Sequence, residues 1–210
     1  MTPRNRRDIK LMTLVGLKTH YISAMKEPSN SPEEIQADSG LRVLHCTVNG
    51  DPVHAAAPAN ETILEVLRYR LGYTGSKQGC DKGDCGACTM LVDDRPVLGC
   101  LTLGHLCEGK KIETVEGLAG PEGLHPLQDA FNRYGAAQCG FCTPGMLMSA
   151  VEFLRSRPTE GPLPSRHEVA HALSGNLCRC TGYVKILDAV IDAAKIMAPE
   201  QKMASGGTSG

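Results

Sequence analysis

The chain has 210 residues, with 22 basic against 23 acidic side chains, few aromatics and no tryptophan. That balance leaves no broad cationic surface for a phosphate backbone and no series of base-stacking platforms, so a nucleic-acid partner is not expected. Ten cysteines make up about 5% of the chain, below the density of a short secreted disulfide scaffold, and the length suits two small domains.

Residues 1–40 read as an N-terminal extension. Met1 to Lys10 is polar and basic, and Glu27 to Gly40 is rich in Pro, Ser and Glu, a composition that cannot order itself alone. The apolar run Leu11 to Leu17 is too short to span a bilayer, so no transmembrane segment is expected. Arg6 and Arg7 ahead of that run loosely resemble a twin-arginine export signal. A cytoplasmic location is expected, with a periplasmic one as the alternative, and a solvated tail or a strap that docks on a partner is the plainer use of the extension.

Residues 41–116 form the first expected domain. Leu41 to Val48 is strand-like, and Asn49-Gly50 before Pro52 to Ala55 is a strong hairpin signal. Asn60 can cap a helix that carries Ile63, Leu64, Leu67 and Leu71 at helical spacing, with Gly72 as terminator. After the cysteine-rich loop, Met90 to Val92, a turn at Asp93-Asp94, Val97-Leu98 and Ile112 to Val115 supply short strands. Hairpin, helix, loop and returning strands predict a β-grasp.

The Gly- and Pro-bearing stretch 117–125 is a linker, and residues 126–197 read as helical, before a tail at 198–210. Leu127 to Tyr134 is a short helix, and Thr143-Pro144 opens a second with Thr as cap. Ser165 with Glu168 is a capping box for a third, and Val184 to Met197 is a fourth. The fold class is therefore α+β, a β-grasp domain followed by a four-helix bundle.

Eight of the ten cysteines fall into two quartets of unlike spacing, Cys80-x4-Cys85-x2-Cys88-x11-Cys100 and Cys139-x2-Cys142-x35-Cys178-x-Cys180. The first is the plant-type [2Fe–2S] arrangement, three ligands on one loop and the fourth on a following strand. Gly79, Gly83 and Gly86 let that loop curl around a cluster and aim N–H donors at its sulfurs. The second quartet places both cysteine pairs at helix starts, where N–H groups favour thiolate charge. Taken alone, the second quartet is also compatible with structural zinc. Cys46 and Cys107 have no paired spacing and read as small core hydrophobes. His167 and His171 stand i, i+4 and read as a solvated face. The sequence contains no nucleophile elbow, phosphate loop or nucleotide fingerprint.

Gly79-Cys-Asp-Lys-Gly-Asp-Cys-Gly-Ala-Cys88, Gln138-Cys-Gly-Phe-Cys-Thr-Pro-Gly145 and Gly175-Asn-Leu-Cys-Arg-Cys-Thr-Gly-Tyr183 together resemble the small iron–sulfur subunit of the molybdenum hydroxylases, the xanthine oxidase family. The resemblance covers roughly residues 41 to 196 and implies two [2Fe–2S] clusters, Cys80, Cys85, Cys88 and Cys100 holding one and Cys139, Cys142, Cys178 and Cys180 the other. It implies a large partner subunit with molybdopterin next to Gln138 and Cys139, and a medium subunit with FAD facing the plant-type cluster. The chain would then be an electron-transfer subunit of an oxidoreductase, with no substrate-converting site of its own. Within the family, Thr74 to Cys80, Val92 to Pro96 and Cys178 to Ile186 are most similar to the small subunit of 4-hydroxybenzoyl-CoA reductase. Aldehyde- and N-heterocycle-oxidising enzymes share the plan and are the alternative; a zinc-stabilised interaction module is the alternative of a different class.

Overall fold

The computed structural model describes residues 40–158 and 161–205, with side chains as far as Met197. The expected N-terminal extension, including Arg6 and Arg7, lies outside the described residues, as does the end of the expected tail.

Strand β1 (Leu41–Val48) buries Leu44, Cys46 and Val48 at every second position and pairs antiparallel with β2 (Asp51–Pro58). The turn between them uses Asn49 and Gly50 at φ 53° and 94°, a twist that suits a two-residue hairpin. Helix α1 (Ile63–Glu65) is capped by Thr62 rather than by Asn60. Thr62 has an acidic partner at the right offset: its N–H donates to the Glu65 carboxylate at 2.8 Å and its hydroxyl accepts the Glu65 N–H at 3.3 Å. Past Glu65 the helix widens, Leu71 N–H reaching the Val66 carbonyl at 3.1 Å.

Strands β3 (Thr89–Val92) and β4 (Arg95–Leu98) form a second hairpin over Asp93 and Asp94, both at positive φ. Strand β5 (Lys111–Glu113) inserts between the hairpins, parallel to β1 and antiparallel to β3, giving the order β2-β1-β5-β3-β4. β3 is buried along its whole length because it is covered on both faces. Met90 and Val92 join the sheet core with Leu44, Val48, Ile63 and Leu67, whereas Leu91 packs into the core of the helical half.

That half contains α2 (Pro126–Tyr134), α3 (Thr143–Arg155), α4 (Arg166–Ala172) and α5 (Val184–Ser205), packed around Leu127, Met146, Met148, Val151, Leu173 and Val190. The capping box at Ser165 and Glu168 forms as expected. Cys142 occupies the cap position of α3, so Thr143 is already helical. α5 runs eight residues beyond the expected end at Met197, through the strong helix formers Glu200 to Ala204. Arg155 of α3 grips the Glu113 carboxylate of β5 with both guanidinium nitrogens, at 2.6 and 3.0 Å, tying the helices to the sheet.

Candidate metal centres

Cys80, Cys85 and Cys88 lie on the loop that joins the wide turn after α1 to β3. Cys100 lies in a turn after β4 rather than on a strand, held by Leu101 N–H to Leu98 carbonyl at 3.0 Å and Gly99 N–H to Cys88 carbonyl at 3.3 Å. The Cys80 and Cys85 thiols act on one another, as do those of Cys88 and Cys100, so the four group as two pairs. Backbone N–H groups of Lys82, Cys85 and Asp84 point at the Cys80 sulfur and hold its pKa down to about 7. Burial pushes the Cys88 thiol up to about 12, and burial also raises Cys85.

The loop glycines keep space open. A Cβ at Gly79 would stand 2.9 Å from the Cys85 sulfur, and one at Gly83 2.6 Å from a methyl of Leu101. Gly86, at φ +68°, lies against the Gly175 carbonyl of the other half of the molecule, and a Cβ there would overlap it.

The second quartet is also paired. Cys139 and Cys180 have their sulfurs 3.4 Å apart at the surface, and the less exposed Cys142 and Cys178 thiols act on one another. The Phe141 N–H lowers Cys139, and the hydrogen bond to Cys139 raises Cys180. Burial pushes Cys142 up to about 12. At Cys178 burial also pushes upward, but the Thr181 hydroxyl at 3.1 Å and the N–H groups of Thr181 and Cys180 outweigh it, leaving that thiol below its ordinary value. Gln138 is exposed immediately ahead of Cys139.

Three supporting residues were not singled out by sequence reasoning, although they sit inside its last motif: Thr181 on the Cys178 sulfur, Tyr183 on the Cys178 backbone, and the buried Asn176. Their only sequence signal is position beside the cysteines, because nothing local states which backbone group each side chain meets.

Among the described residues, no three of His, Cys, Asp and Glu close on a single point as one ion requires. Four sulfurs held as two pairs, with N–H donors aimed at them, suit two irons that each take two thiolates. Cys46 and Cys107 lie buried in the sheet core, the former with its pKa pushed up to about 11 by burial. His167 and His171 line an open groove of about 450 Å³ with Glu152 and Phe153.

The sequence matches the model of the 2Fe-2S iron-sulfur cluster binding domain over residues 46–118 and that of the [2Fe-2S] binding domain over 114–191. It is 51% identical to the nicotine 6-hydroxylase small subunit of Paenarthrobacter nicotinovorans over 146 residues, 70% of this chain and 86% of that one. It is 45% identical to the xanthine dehydrogenase iron-sulfur-binding subunit of Escherichia coli O157:H7 over 152 residues, 72% and 94% of the two chains. Among solved structures, quinoline 2-oxidoreductase of Pseudomonas putida 86 superposes with a TM-score of 0.72 at 47% identity, covering 77% of this chain and 98% of that one. The chain belongs to the small iron–sulfur subunits of the molybdenum hydroxylase (xanthine dehydrogenase) family.

Proposed function

We propose that this chain relays single electrons between a molybdopterin centre on a large partner subunit and FAD on a medium subunit, or an external acceptor. Cys80, Cys85, Cys88 and Cys100 would hold one [2Fe–2S] cluster and Cys139, Cys142, Cys178 and Cys180 the other. The observation that carries this reading is the gathering of all eight thiols into two quartets, each of two pairs. A bound [2Fe–2S] cluster takes up and returns one electron at a time. The protein's part is to hold eight thiolates and to offset their charge with backbone N–H groups from Lys82, Asp84, Ala87, Phe141 and Thr181.

The exposed edge of Cys139 and Cys180, with Gln138 beside it, suits the face turned to molybdopterin, and the first quartet the face turned to flavin. In the same reading residues 41–116 are a β-grasp and 126–197 a four-helix bundle. The substrate belongs to the partner. An N-heteroaromatic hydroxylase is favoured by the likeness to the nicotine and quinoline enzymes. A hydroxybenzoyl-CoA reductase is a second reading, resting on Thr74 to Cys80 and Cys178 to Ile186. No helix among the described residues is long and apolar enough to cross a membrane; we place the complex in the cytoplasm, with export through the Arg6-Arg7 signal as the alternative.

The test is to purify the chain with whatever binds it and measure iron, sulfide and molybdenum, with an EPR spectrum of the reduced sample. About four iron per chain and two [2Fe–2S] signals, with molybdenum on a partner, are expected. Zinc without visible absorbance would overturn the reading.

A further inference from the structure

The loops that carry the two thiol quartets meet through main chain. The Leu177 N–H donates to the Cys85 carbonyl at 2.9 Å. Cys85 belongs to the first quartet, and Leu177 is covalently joined to Cys178 of the second. A single hydrogen bond therefore completes a route from the sulfur of one quartet to the sulfur of the other along backbone bonds.

Asn176 stands beside that bond. It is only 3% exposed, and its side-chain N–H group donates to the Gly86 carbonyl at 2.9 Å, one residue beyond Cys85, and lies 3.3 Å from the Thr89 hydroxyl. The Thr89 hydroxyl donates to the same carbonyl at 2.7 Å. Asn176 also reaches the second quartet: its carbonyl accepts from the Tyr183 hydroxyl at 3.1 Å, and that hydroxyl accepts the Cys178 N–H at 2.8 Å. Gly145, in the first turn of α3, abuts Gly86 so closely that a Cβ would overlap the Gly86 carbonyl oxygen. Only a short side chain with two N–H donors fits this role, because a carboxylate would face a carbonyl with nothing to donate.

We propose that Asn176 is a positioning residue of the electron relay: by clamping the Gly86 carbonyl it holds the Cys85 C=O to Leu177 N–H hydrogen bond, and that bond is the bridge between the two centres. Electronic coupling falls less steeply along bonds than across a gap, so a continuous route with one hydrogen-bonded junction is the favoured one. In the step one ferrous iron of the donor centre becomes ferric and one ferric iron of the acceptor centre becomes ferrous. No covalent bond forms or breaks and no proton leaves the bridge.

The inference rests on the relay reading above, and the experiment separates the two. In the assembled complex, Asn176→Ala is compared with wild type for iron and sulfide content, for the spin–spin splitting between the two reduced centres in low-temperature EPR, and for the rate of electron equilibration after pulsed reduction. The expected result is full iron content and both individual signals, with a reduced splitting and slower equilibration. A purely structural role would move the unfolding midpoint but leave the splitting alone. Both signals with wild-type splitting and rate overturn the bridge, whereas absence of two signals in the wild type overturns the relay itself. Should Asn176→Ala fail to load iron, Thr89→Val, which removes only the hydroxyl's share of the same clamp and changes no cysteine, decides in its place: an unchanged equilibration rate there overturns the proposal.

Discussion

The Tyr183 hydroxyl accepts the backbone N–H of Cys178 at 2.8 Å, so a side chain five residues along the chain completes the loop that presents a thiol of the second quartet. Tyr183 itself sits at φ 67°, a conformation unusual for a bulky residue and kept because both ends of its hydroxyl are engaged, with Asn176 as the other partner.

Tyr183→Phe keeps the ring and the backbone strain but leaves the Cys178 N–H and the Asn176 carbonyl without their partner. The expected cost is about 1–3 kcal/mol of stability, from the unmade hydrogen bonds. Urea unfolding followed by visible absorbance should show an earlier midpoint, with the second centre bleaching before the first.

Gly145→Ala and Gly175→Ala form a matched pair of methyl insertions. The first drives a Cβ into the Gly86 carbonyl, and the second meets nothing within 4 Å. Thermal unfolding of the loaded protein should show Gly145→Ala destabilised by about 1–3 kcal/mol, as overpacking at a rigid contact requires. Gly175→Ala should stay within about 0.5 kcal/mol of the parent.

Cys139→Ser removes one thiolate from the surface pair of the second quartet and leaves the first quartet untouched. Turnover of the assembled enzyme should be abolished while the plant-type EPR signal persists. Unchanged activity would sink the relay.

Glu168 has its carboxyl pKa lowered from 4.5 to about 2 by the Ser165 hydroxyl and N–H, with Arg157 adding to them. A depressed carboxyl stabilises the fold above the unfolded-state value and stops doing so as pH falls from about 4.5 through about 2. Glu168→Gln should therefore unfold earlier than wild type at pH 7, and the gap should close in acid. Hydrogen exchange of the α4 amides at pH 6 and pH 3 reads this locally.

Cys46→Ala and Cys107→Ala should leave iron content unchanged, because both thiols lie in the sheet core rather than in a quartet. Alkylation of the folded protein should spare both residues, whose thiols are raised by burial.

The sequence by itself determined what depends on neighbours in the chain. The Asn49-Gly50 turn, the Ser165–Glu168 box and the two cysteine spacings are short-range chemistry, legible because the residue types and their separation are the mechanism. Local reading slipped where two nearby residues competed for one role, as when Thr62 rather than Asn60 capped α1, since only Thr62 had Glu65 three residues on. Tertiary structure decided the rest. The partner of each thiol, the covering of both faces of β3, and the meeting of Asn176 with Gly86 join residues far apart in sequence. Such contacts depend on where the folded chain returns to itself, and the free energy that selects them comes from packing the sheet core against the helical core, which no window of local pattern contains.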